Sequence, residues 1–113
     1  MVVKDAEGGS KFIQIKVSKA KSFQEARTIA LAIANSNLFK TAVYGENPNF
    51  GRIAAAAGAC GVDIKEENLK MKVSPLHKKE VFVEVALKRG NSSAIVYTSD
   101  LTPEYIKINA EYN

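Results

Sequence analysis

Residues 12–18 set the kind of structure this chain builds. Ile13, Ile15 and Val17 alternate with Gln14, Lys16 and Ser18. Side chains repeat every two residues on a strand, so this spacing puts branched apolar groups on one face and polar groups on the other. The second half of the chain repeats the pattern. Leu69, Met71 and Val73 alternate with lysines, and Val81, Val83, Val85 and Leu87 alternate with Phe82, Glu84 and Ala86. Residues 94–98 form a further β-prone run.

Helical signals lie between these segments. Ser22 and Glu25 read as a capping box, with the hydroxyl accepting from the Glu25 backbone. Phe23, Ala26, Ala30 and Ile33 then share one helical face. Asn35-Ser36-Asn37 is expected to end that helix, because asparagine tolerates the left-handed conformation of many helix stops. Residues 41–44 are expected to form a short strand, followed by a turn over 45–49. Asn49 is positioned to cap a second helix to about Ala59, whose stripe is Phe50, Ile53, Ala54 and Ala57. The small residues 54–58 suit close approach to a sheet or another helix.

Arg89-Gly90-Asn91-Ser92 has hairpin-turn chemistry, which predicts that the strands on either side pair as antiparallel neighbours. Thr102 and Pro103 fit the start of a short final helix. The reading is one α+β domain over residues 1–113. It has a mixed or antiparallel sheet packed against two main helices, with a short C-terminal helix. A chain of 113 residues suits one domain, in which roughly 65% of the unfolded chain's surface is buried.

Composition removes several function classes. The single cysteine, Cys60, allows no internal disulfide and fits a reducing compartment. No apolar run reaches the roughly 18 residues of a membrane span, and the charged N-terminus is not that of a signal peptide. The net charge is +4, but the lysines are mixed with acids, as in Lys65-Glu66-Glu67 and Lys78-Lys79-Glu80. A solvated surface explains them better than a nucleic-acid face. His77 lies in a loop with no cysteine or carboxylate beside it, so no metal set forms around it. Cys60 reads as a small apolar residue at a helix end.

Two stretches do not follow from packing. Glu7-Gly8-Gly9-Ser10-Lys11 is a glycine-rich turn entering a strand, which would hold Glu7 out to a ligand ammonium or leave it solvated. A phosphate loop would be followed by a helix, not a strand. Tyr44-Gly45-Glu46-Asn47-Pro48-Asn49-Phe50-Gly51-Arg52 joins a turn, a helix start and an arginine. That combination suits a carboxylate or simply a capped helix.

Together with Lys40-Thr41-Ala42, Arg89-Gly90, Ser99-Asp100-Leu101-Thr102 and Tyr105-Ile106-Lys107-Ile108-Asn109-Ala110-Glu111-Tyr112, these stretches resemble a known family. It is the bifunctional ornithine acetyltransferase / glutamate N-acetyltransferase family, in the C-terminal part of its β chain. Departures from the family pattern are Gly9-Ser10 for Ala-Thr, Asn47 for Asp, Phe50 for Trp and Ser99 for Cys.

The resemblance implies acetyl transfer from N-acetylornithine to glutamate in arginine biosynthesis, in the cytoplasm and without metal or organic cofactor. It assigns substrate contacts to Glu7 and Asn109. It puts the nucleophile, a threonine exposed by self-cleavage of a precursor, upstream of this stretch, so that this segment alone is expected to be inactive. The implied partners are the α chain and the N-terminal part of the β chain, in a heterotetramer, and no nucleic acid or membrane. The alternative expectation is a free-standing module that binds an amino acid or a protein without catalysis.

Overall fold

The computed structural model describes residues 11–47, 50–62, 64, 68–99 and 107–109, with backbone alone for Phe50 and 107–109. In chain order the elements are β1 (Phe12–Ala20), α1 (Phe23–Ala34), α2 (Asn37–Tyr44), α3 (Phe50–Gly58), β2 (Lys70–Val73), β3 (Glu80–Ala86), β4 (Ser92–Ser99) and β5 (Lys107–Asn109). The five strands form one mixed sheet in the order β2-β3-β1-β4-β5. Strand β1 runs parallel to β3 and antiparallel to β4. The edge strands β2 and β5 pair antiparallel with β3 and β4. The architecture is α+β, as the alternation and the helical stripes predict.

The alternation in β1 has its expected consequence. Ile13, Ile15 and Val17 are fully buried, and so are Val81 and Val85 on β3 and Val96 on β4. Helix α1 covers this face, resting on β1 and β4 through Ala26, Ile29, Ala30, Ile33 and Ala34. The capping box forms with one change. Ser22 Oγ accepts from the Glu25 N–H at 3.1 Å, but the Glu25 carboxylate accepts from Lys21 N–H at 2.9 Å.

Three local expectations are corrected. Asn35 caps α1 in the ordinary right-handed region (φ −90°, ψ −1°), not the left-handed one. The next residue, Ser36, then caps a new helix, its Oγ accepting from Phe39 N–H at 3.2 Å. Residues 41–44 therefore close α2 instead of forming a strand. Phe39 and Val43 at i, i+4 bury one helical face, and that packing outweighs the strand preference of Thr41, Val43 and Tyr44.

The third correction concerns topology: β3 and β4 are not neighbours, because β1 lies between them. Their connection crosses the C-terminal end of β1, where Leu87 N–H bonds Ser18 O at 3.0 Å and Arg89 N–H bonds Lys19 O at 2.8 Å. Lys88, in the crossing, takes a positive φ (59°), and so does Lys19 (54°), where the β1–β4 register shifts between Val17 and Ala20. Helix α3 packs on α1 and α2, burying Ile53 and Ala57, while Ala54 is half-buried. The helix start expected from Thr102 and Pro103 lies outside the described residues, and Lys107–Asn109 is a strand.

Candidate functional site

One end of the sheet gathers pieces of the irregular stretches. At the start of β1, the Lys11 side chain is 7% exposed. Its Nζ lies 3.5 Å from Glu46 Oε2 and 3.5 Å from the Lys78 carbonyl. Lys11 and Glu46 come from the two separate stretches that no packing pattern explained, and 35 positions separate them. Glu46 follows α2 with φ 57°, a left-handed conformation that costs a non-glycine residue roughly 1–2 kcal/mol. This conformation turns the chain after the helix, and the Glu46 carboxylate meets Lys11 there. Phe12 pairs in register with Glu80 and with Ser99, so the starts of β1 and β3 and the end of β4 meet here. Ser99, which opens the Ser-Asp-Leu-Thr motif, is 1% exposed.

The residues singled out for ligand contact fare differently. Glu7 lies outside the described residues. Asn109 is on the edge strand β5, in register with Ile95, which in turn faces Lys16 on β1. That row is four residues along β1 from Phe12, or roughly 13 Å. Arg52 is exposed in α3 and lines a groove of about 560 Å³ with Ser36, Leu38, Gly51, Ala55 and Ala56. The groove is formed by helices at a distance in sequence from Glu7 and Asn109. His77 is exposed. Cys60 is half-buried against the core, its thiol donating to the Ala57 carbonyl at 2.9 Å, as a small core residue would.

The Arg89-Gly90 motif has a structural task. Arg89 Nε donates to Glu25 Oε2 at 2.8 Å, tying the β3–β4 crossing to the first turn of α1. The hydrogen bond from Arg89, helped by Lys21 N–H and outweighing burial, holds the Glu25 carboxyl below its ordinary value of 4.5. A depressed folded-state value means that the bond adds stability above about pH 4.5 and loses it as pH falls through the lower value. Glu25→Gln is therefore expected to cost about 1 kcal/mol at pH 7. The difference between the two proteins should shrink as pH falls below 4.5 through the lowered value. Denaturant midpoints at pH 7 and along the acid range measure it; a gap that does not shrink would remove the ionised pair from the account. Sequence reasoning missed this pair because 64 positions separate its members.

Among the described residues there is no group of three or more His, Cys, Asp or Glu side chains that could hold a metal ion. No helix among them is long and apolar enough to cross a membrane.

Comparison with known proteins gives the same family as the motifs. The ArgJ family model matches residues 1–113. The arginine biosynthesis bifunctional protein ArgJ of Geobacter sulfurreducens is 38% identical, over 99% of this chain and 34% of that protein. The glutamate N-acetyltransferase of Methanosarcina mazei is 35% identical, over 98% of this chain and 34% of that protein. The crystal structure of the arginine biosynthesis bifunctional protein argJ from Bacillus halodurans superposes with a TM-score of 0.78 at 30% identity. That match covers 88% of this chain and 56% of that one. The chain thus spans about a third of the length of the curated relatives it matches. With motifs, a family match over residues 1–113 and the fold in agreement, the chain belongs to the ArgJ family.

Proposed function

We propose that this chain is a segment of an acyltransferase that moves an acetyl group from N-acetylornithine to glutamate. The observation that carries the reading is the family match over residues 1–113, with the Glu7 and Asn109 motifs both inside it. In this reading the reaction is a ping-pong transfer. A threonine hydroxyl on another part of the enzyme attacks the N-acetyl carbonyl, ornithine leaves with its amine, and the glutamate amine takes the acetyl group from the acyl-enzyme. This segment binds and orients the amino-acid portion, with Glu7 facing an ammonium and Asn109 offering its amide. The nucleophile comes from the remainder of the β chain, and the working assembly is a cytoplasmic heterotetramer of α and β chains.

The 113-residue chain alone is expected to form no acetyl adduct and no N-acetylglutamate when incubated with N-acetylornithine and glutamate. Intact-mass and product analysis by mass spectrometry checks this. Specific turnover by this chain alone would overturn the division of roles. In the enzyme containing the segment, Glu7→Ala should cost about 1.5–3 kcal/mol in kcat/KM, the size of one charge-assisted hydrogen bond. The melting temperature should stay put. Unchanged kcat/KM would remove Glu7 from the site.

A further inference from the structure

The two faces of the sheet differ. Helix α1 packs over the face bearing Ile13, Ile15, Val17, Ala94 and Val96. On the opposite face, no helix is placed among the described residues. There the register lines up Phe82, Gln14 and Tyr97 in one row across β3, β1 and β4. Phe12 stacks on Tyr97, with centroids 5.6 Å apart and planes at 19°. Phe82 is 45% exposed although it sits inside a seven-residue strand whose neighbours Val81 and Val83 are buried. The next row along the sheet is Ile95, Lys16, Glu84 and Lys72, with a lysine on each side of one carboxylate. Glu84 also accepts from Ser18 Oγ at 3.1 Å.

Two observations say what covers this face. The register carries both rows onto β5, with Lys107 at the level of Tyr97 and Asn109 at the level of Ile95. The position with a proposed substrate role therefore shares these rows. In addition, about two thirds of each curated relative lies outside the part that this chain matches. Phe82, exposed beside the half-buried Gln14 and Tyr97 and next to a row of mixed charge, has the composition of an interface anchor.

We propose that this face is the docking surface for the rest of the same acetyltransferase. The remaining polypeptide seats an apolar patch on Phe82, Gln14 and Tyr97 and meets the Lys16, Glu84 and Lys72 row with charges of both signs. This rests on the acetyltransferase reading above. The row holding Asn109 then lies along the seam between the two parts, where a small amino-acid substrate is reached from both.

The test compares the 113-residue chain with the enzyme purified intact with all its chains, using hydroxyl-radical footprinting. Phe82 should oxidise at least about fivefold more slowly in the intact enzyme, while Leu38 and Tyr44, both exposed on α2, keep their rates. In intact enzyme carrying Phe82→Lys, Tyr97 should regain the rate of the free chain. Protection of Leu38 and Tyr44 with Phe82 unprotected would overturn the docking face and leave the acetyltransferase reading standing. So would a Tyr97 that stays protected in Phe82→Lys. Recovery of the chain from its cells with no further polypeptide would overturn both. If Phe82 is protected in the isolated chain only at high concentration, with a dimer mass, a second copy covers the face and the proposal falls.

Discussion

Gly90→Ala is expected to destabilise the protein by about 3 kcal/mol, the upper end of overpacking costs. A Cβ at this position would stand 2.5 Å from the Ala20 carbonyl oxygen, 3.1 Å from Lys21 Cα and 3.2 Å from the Ala20 carbonyl carbon. All three are backbone atoms, so no side chain can rotate out of the way. Relief requires moving the β3–β4 crossing away from β1. That would strain the bonds that Arg89 N–H and Gly90 N–H both make to Lys19 O, at 2.8 and 3.1 Å. It would also shift Arg89 relative to Glu25. The melting temperature should fall by roughly 10–20 °C. Gly58→Ala is the control: an added Cβ meets nothing within 4 Å and the site is helical, so it should be neutral or slightly stabilising. If both variants melt together, within about 3 °C, the crossing is not packed against β1 as described.

The same crossing marks where the fold stops being legible in the sequence. Period-two alternation identified β1, β2 and β3 because one buried face imposes it along each strand. The capping box identified the start of α1 because its partners are three residues apart. Arg89-Gly90-Asn91-Ser92 carries turn chemistry whether the flanking strands touch or a third strand enters between them. No local signal reports that β1, about seventy positions earlier, takes that place. Helix α2 was hidden for a related reason. Thr41, Val43 and Tyr44 favour a strand locally, and only the buried Phe39 and Val43 pair and the Ser36 cap turn the segment into a helix.

The site was legible as motifs and not as geometry. Nothing in the two irregular stretches says that Lys11 reaches Glu46, since that contact depends on α2 ending beside β1. Nor does the spacing of Tyr105, Ile108 and Asn109 show that residues 107–109 are an edge strand. That placement is long-range pairing with β4.

Ile15→Ala should be the most damaging single truncation in the sheet. Ile15 is at the middle of the central strand, opposite Val83 on one side and Val96 on the other. It is fully buried in the cluster that α1 closes with Ile29 and Ile33. Strands on both sides and a helix above leave little room for collapse, so the missing atoms become a cavity. The cost for an isoleucine is about 2–5 kcal/mol, a large share of the roughly 5–15 kcal/mol that holds a domain of this size together. The denaturant midpoint should drop in proportion with the slope unchanged, since the surface exposed on unfolding is nearly the same. Phe82→Ala gives the contrast. It removes a larger side chain from the same sheet, but from the other face, where Phe82 is 45% exposed. Its cost in the isolated chain should stay below about 1 kcal/mol. The ratio of the two losses reads the asymmetry of the sheet directly. Ile15→Ala costing no more than Phe82→Ala would mean that the helix-covered face is not the core, and the assignment of inner and outer faces would reverse.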